Sequence, residues 1–297
     1  MPGSCCGCPS RIGRFHLSQS WIMDGMTEQA PQGVNPHIPN AARMYDYFLG
    51  GKDNFKADRE LGDMVLSVMP EVRDGTRENR ALIGRVVRYL CEQGVTQFLD
   101  LGSGLPAQEN VHEVALRHAP EARVVYVDND PVVAAHGRAL LADPNRVAMV
   151  LGDCRRPEEI LSDPEVRGLL DFDRPVAVLM MFVLHFITEQ DEPQRFVAAY
   201  RDALAPGSYL AISHVTNDVA TERAEQVSEF YRKANADFTP RSGAEIGAFF
   251  GDFELIPPGL ATGLPEHAIW PFNDPLNPVF VDEELARMAY AGIGRKP

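Results

Sequence analysis

Apolar positions change period once along the chain. Before residue 95 they recur at helical spacing; beyond it they gather into short runs with helical stretches between them. Met44, Tyr47 and Phe48 share one face of a short helix that Gly50-Gly51 ends. Leu61, Val65 and Val68 mark a second helix over 58–68, with Pro70 beyond its end. Leu82, Ile83, Val86, Val87 and Leu90 mark a third over 77–93, stopped by Gly94. Strands are then predicted at 97–101, 124–127, 147–151, 176–184 and 209–213, with helices at 107–118, 131–141 and 193–204 between them. Such alternation through short connections predicts an α/β fold with helices on both faces of a parallel sheet. Helices at 219–236 and 241–250 and short strands near 254–256 and 288–293 follow. Residues 31–94 read as an N-terminal helical cap or lid and 95–297 as the sheet domain.

Composition removes whole classes of partner. The 297 residues carry 28 Lys plus Arg against 42 Asp plus Glu, a formal net charge of −14. Phosphate backbones repel such a chain unless a basic face is segregated, and no dense Lys/Arg block occurs, so nucleic acid is not an expected partner. No apolar run approaches the ~20 residues of a membrane helix, so no membrane partner is expected either. Residues 1–30 look foreign to the rest: Cys5, Cys6 and Cys8 fall in MPGSCCGCPS, and no acidic residue precedes Asp24. They read as disordered or as a translation start placed too early, with Met23 and Met26 as later starts; neither a secretory signal nor a spaced ligand set is present. Cys91 and Cys154 suggest no disulfide framework, which suits a reducing cytoplasm, and no cluster asks for a metal.

The chemistry concentrates at strand ends. Strand 97–101 delivers Asp100 and Leu101 into Gly102-Ser103-Gly104, a turn where glycine permits close backbone approach and the next helix's amino end points at a ligand. Gly102-x-Gly104-x-x-Ala107 also fits the dinucleotide fingerprint, so the glycines leave a nicotinamide cofactor and another adenosine-bearing one both open. Asp100 tilts the choice, because a carboxylate there repels a pyrophosphate and suits a cationic amine. Asp128 ends the second strand, where it suits ribose hydroxyls, and Asp153 follows the third, where it suits an adenine amine.

On these residues the chain resembles the class I S-adenosylmethionine-dependent methyltransferases: DLGSG matches their glycine motif, Asp128 their ribose-binding acid and VLGDC their adenine segment. The resemblance implies a Rossmann-like sheet, mostly parallel with a final antiparallel strand, and S-adenosyl-L-methionine as cofactor. Asp100, Gly102, Ser103 and Gly104 would hold its methionine moiety, Asp128 and Asn129 its ribose, and Asp153 with Cys154 its adenine. Phe182, at the end of the fourth strand, would face cofactor and acceptor. A narrower resemblance rests on ARMYDYFLGGKDNF, RENRALIGRVVRYL, QFLDLGSGLP and NVHEV. These are similar to a bacterial family first catalogued as a domain of unknown function and now labelled S-adenosyl methyltransferase. The expected activity is methyl transfer to a small or peptide-sized acceptor. A nicotinamide-dependent oxidoreductase, for which no second glycine-rich turn appears after residue 150, and a non-catalytic sensor of S-adenosylmethionine or S-adenosylhomocysteine are the alternatives.

Two further segments carry paired readings. The stretch from Tyr45 to Phe55 is either a lid hinged at Gly50 and Gly51, with Tyr45 or Asn54 turned to the site, or a capping turn packed on the sheet edge. His185, in VLHF, is either a general base for the acceptor, a role for which Tyr45 is the other candidate, or a rim histidine ordering its loop. His112 and His214 read as helix surface and strand end, and Met180-Met181 as strand packing.

Overall fold

The structure, a computed structural model, describes residues 34–297 except 108, 141–142, 220–221, 234–236, 264–266, 268, 275 and 277–282. The cysteine cluster and the alternative starts therefore lie outside the described residues. In chain order the helices are α1 (Ala41–Leu49), α2 (Lys56–Val68), α3 (Val72–Glu92), α4 (Val111–His118), α5 (Pro131–Leu140), α6 (Pro157–Ser162), α7 (Pro164–Leu169), α8 (Pro193–Ala203), α9 (Glu222–Lys233), α10 (Gly243–Ala248) and α11 (Glu283–Ala286). The strands are β1 (Gln97–Leu101), β2 (Arg123–Asp128), β3 (Val147–Leu151), β4 (Ala177–Met181), β5 (Tyr209–Val215), β6 (Glu254–Leu255) and β7 (Ala289–Arg295).

One sheet joins all seven strands in the order β3-β2-β1-β4-β5-β7-β6, parallel through β5, with β7 running antiparallel between β5 and β6. The chain moves outward in one direction from β1 and then restarts at β4 on the other side. That reversal opens a crevice beyond the carboxyl ends of β1 and β4, the place where such Rossmann-like sheets take ligands. Every residue of β1 and β4 is buried, because helices cover both faces. On one face α3 packs Val86, Val87 and Leu90 against Phe98, Val124 and Ala177; on the other, Phe196, Val197 and Tyr200 of α8 meet Leu99, Val178 and Leu210. Each such fully buried apolar side chain contributes about 1.5–3 kcal/mol relative to exposure. A third cluster joins Met44 and Phe48 of α1, Leu61 and Val65 of α2, and Val227 and Tyr231 of α9.

Several expected bounds are corrected. The helix after the glycine turn starts at Val111 rather than near 107: Asn110 caps it, taking the Ala107 N–H on its side chain while its own N–H donates to Glu113. Its amino end is thus set back from the turn. β4 ends at Met181 instead of 184, because Phe182 takes φ +54° and residues 184–186 coil into a 3₁₀ turn. Helices α6 and α7, each six residues and each led by proline, were not anticipated.

Candidate functional site

The period of two in β1 sets Asp100 on the same face as Phe98, toward α3. There Asp100 is only 7% exposed. It lines a cavity of about 280 Å³ together with Arg80 of α3, Gly104 and Tyr126, its ladder partner on β2. Burial pushes the Asp100 carboxyl up to about 7, with Arg80 pulling it down and Asp128 pushing it further up. The N–H groups of Gly102 and Ser103 donate to Val127 O at 2.8 and 3.2 Å, which folds the turn back onto β2. Gly102 sits at φ +72°, and a Cβ there would strike the Val183 side chain beyond β4. Gly104 sits at φ +66° with nothing within 4 Å of where its Cβ would stand, so the backbone is open to a ligand on that side.

Asp128 closes β2. Its two oxygens take the N–H groups of Gly104 and Asp130, each at 2.9 Å. Burial pushes this carboxyl up to about 6 against those donors. A carboxylate has about four lone-pair sites, so capacity remains for two hydroxyls. Asn129 follows it, exposed on the rim. Asp153, just past β3, is clamped by Arg155 at 2.7 Å, and Arg155 also reaches Asp191 at 3.0 Å. Burial pushes the Asp153 carboxyl up, but the hydrogen bonds from Arg155 prevail and hold it below its usual range. The thiol of Cys154 is pushed up to about 12 by burial, so it stays protonated; the Cys154 carbonyl accepts from the Tyr200 hydroxyl at 3.0 Å.

A second cavity, of about 210 Å³, is mostly apolar, and the rings of Tyr45, Phe182, His185, Phe186, Tyr231 and Phe238 are among its walls. Phe182 holds its left-handed backbone because its N–H donates to both the carbonyl and the hydroxyl of Ser213, at 3.1 and 3.0 Å. Such strain, of about 1–3 kcal/mol, gathers at working sites. His185 is 3% exposed, and its Nδ1 is buried with no hydrogen-bond partner. Burial, together with His214 and Arg241 nearby, holds its imidazole well below the usual histidine range, so the ring is neutral at pH 7. Arg241, 2% exposed, ties down the His185 loop by donating to Leu184 O and Ile187 O at 2.8 Å each. His214 lies at the end of β5, as expected, fully buried against Arg241. His112 bonds the Tyr126 hydroxyl at 2.8 Å.

Tyr45 is bonded to the Thr76 carbonyl and accepts from Asn79 at 3.1 Å. Gly50 ends α1 at φ +84°, and Gly51 N–H donates to Asp46 O at 2.8 Å. Asn54 turns back to Asp46 and to Gly51 O, at 2.8 and 3.1 Å. Only Tyr45 of these four meets the ring-lined cavity. Sequence reasoning missed the residue that fastens this segment to the rim. Arg43 of α1 reaches Asp130 and Asp58 at 2.9 Å each and Ile38 O at 2.8 Å, all but buried. It also missed Arg80 and Arg241, whose partners lie in distant elements; their positions on amphipathic stretches resembled those of surface arginines.

Among the described residues no group of His, Cys, Asp and Glu is arranged to hold a metal, and no helix is long and apolar enough to cross a membrane. A family model described as S-adenosyl methyltransferase matches residues 27–297. No curated protein matches. Among solved structures, a proposed methyltransferase from Thermobifida fusca YX is 44% identical, with 88% of this chain and 96% of that one covered and a TM-score of 0.80. A DUF574 family protein from Streptomyces avermitilis MA-4680 is 36% identical, with 88% and 98% covered and a TM-score of 0.79.

Proposed function

The chain belongs to the S-adenosyl methyltransferase family, and from that premise we propose that it transfers the methyl group of S-adenosyl-L-methionine to a small acceptor held beside His185. Asp100 carries the reading: a carboxylate this deeply buried at the switch point of the sheet suits a ligand that brings its own cation. The open side of Gly104 supports close approach of that ligand, and Asp128 beside it retains acceptor capacity.

When bound, the cofactor supplies a methyl group made electrophilic by its sulfonium. Asp100 would hold the ammonium of the methionine moiety, with the backbone of Gly102, Ser103 and Gly104 beside it. Asp128 and Asn129 would take the ribose hydroxyls, and Asp153 with Cys154 the adenine edge. Phe182, in the lining of the second cavity, would face the acceptor. Residues 45–54 act as a lid, a role supported by the Arg43–Asp130 link and by Asp53 standing 3.5 Å from His136 of α5. His185 removes the acceptor's proton, and its unpartnered Nδ1 favours an enzyme over a sensor. Alignment in a dry pocket supplies much of the remaining rate effect.

S-adenosylmethionine or S-adenosylhomocysteine at 100 times Kd stabilises the native state by about 2.7 kcal/mol. Differential scanning fluorimetry should therefore record a rise of about 5–10 °C. A rise with NAD and none with either sulfur compound overturns the reading in favour of an oxidoreductase.

Cofactor affinity should also depend on pH. Asp100 is raised in the fold, so below about 7 it carries a proton and offers no charge to an ammonium. S-adenosylhomocysteine should bind up to about tenfold more weakly for each unit of acidification below that point. Calorimetry at pH 6 and pH 8 measures it, and equal affinities would remove Asp100 from the ammonium site. The same group affects stability in the opposite sense. Between its usual 3.8 and about 7 the folded chain holds a proton that the unfolded chain has released, so its contribution to stability falls as pH rises through that window.

A further inference from the structure

Two residues that line the second cavity each carry a buried side-chain atom that no protein group satisfies: Nδ1 of His185 and Oε2 of Glu78. Glu78 lies on α3, with its other oxygen paired to Arg85, which also donates to Pro271 O and Phe272 O at 3.1 Å. The Arg85 guanidinium is thereby spread over three acceptors, while the second Glu78 oxygen is left buried with no partner. Most of the remaining wall is apolar, and it includes the rings of Tyr231 and Phe238, stacked at 4.7 Å and 12°. Such ring faces and edges favour a planar aromatic guest over a flexible aliphatic one.

Resting on the methyl-transfer reading, we infer that the acceptor is an aromatic molecule with two polar ends, a hydroxyl for Nδ1 of His185 and an N–H donor, best an ammonium, for Oε2 of Glu78. A guest without the donor leaves the Glu78 oxygen buried and unpaired, which costs about tenfold in affinity. A guest with a carboxylate in that place brings two like charges together in an apolar wall and binds worst. A charged donor gains most, since hydrogen bonds to ionised groups are about twice as strong as neutral ones.

Three probes of one ring size separate the possibilities on the full chain: 2-naphthol, 6-(aminomethyl)-2-naphthol and 6-hydroxy-2-naphthoate, titrated by calorimetry with and without saturating S-adenosylhomocysteine. The expected order is the amine tightest, about tenfold or more ahead of 2-naphthol, and the carboxylate last. Glu78→Gln should erase the advantage of the amine, bring the carboxylate closer to it, and leave S-adenosylhomocysteine affinity unchanged. Equal binding of amine and carboxylate, an amine preference that survives Glu78→Gln, or no binding by any naphthol overturns the inference. So does a loss of S-adenosylhomocysteine affinity in Glu78→Gln, which would assign Glu78 to the cofactor. Failure of the wild-type chain to bind S-adenosylhomocysteine overturns the methyl-transfer reading instead, while the naphthol order without it still reports on Glu78.

Discussion

His185→Asn is expected to cut methyl transfer by about 10²–10⁴-fold at saturating cofactor, the usual contribution of a positioned general base. Affinity for S-adenosylhomocysteine should not change, because His185 is proposed to face the acceptor. That split separates loss of a base from general damage, which would lower both. Four rings pack around it: Phe182 lies edge-on at 5.3 Å, Phe186 at 4.3 Å, His214 at 5.4 Å and Phe238 at 5.6 Å. Its backbone carbonyl takes the Thr239 N–H at 2.7 Å. The charged and titratable neighbours are Arg241 and His214, and burial pushes His214 down to about 4. A second proton in this pocket is therefore disfavoured. At saturating cofactor the rate should stay flat from pH 8 to pH 6 and fall only in more acid solution. A fall centred near 6.5 would contradict a desolvated imidazole, and full activity in His185→Asn would remove it from the chemistry.

The largest effect on stability is expected from Arg43→Met. Arg43 lies between Asp58 of α2, 0% exposed, and Asp130 at the start of α5, 4% exposed. Asp58 also accepts the N–H groups of Asn40 and Phe55, each at 2.8 Å, so it joins the entries of α1 and α2. Asp130 takes the Val132 N–H at 2.7 Å, so it caps α5. Removing the guanidinium strands two carboxylates in an apolar interior, which costs about 3–5 kcal/mol, well above the value of the intact pair. The melting midpoint should fall by about 10 °C. Arg195→Met serves as the control, because its pair with Glu192 is exposed on both sides and should leave the midpoint unchanged. Equal shifts in the two variants would mean that the Arg43 triad adds nothing beyond a surface pair.

The contrast between Asp128 and Arg43 shows what the chain discloses before it is folded. Asp100, Gly102, Gly104 and Asp128 stand at the ends of short apolar runs, and strand ends are set by local pattern, so their shared rim could be read directly. Arg43 is 15 residues from Asp58 and 87 from Asp130, and nothing in a helical period specifies which distant carboxylate an arginine will meet. Phe182 was expected at the site by resemblance, but its left-handed backbone was not, because that conformation is imposed by Ser213, 31 residues away. Helices α6 and α7 are too short to display a period; Asp163-Pro164 was the available signal, an N-cap followed by a proline at the first helical position. The set-back start of α4 was written in Asn110 and Glu113, a capping pair that outranked the apolar pattern.

Under the proposed function, the carboxylates along one rim of the sheet hold S-adenosylmethionine. Titration calorimetry of S-adenosylhomocysteine into wild-type protein and Asp128→Ala tests it most directly. Two hydrogen bonds to a charged acceptor are worth about 1.5–3 kcal/mol each, so one site is expected in the wild type and at least about 100-fold weaker binding in the variant. An unchanged isotherm in Asp128→Ala would contradict it.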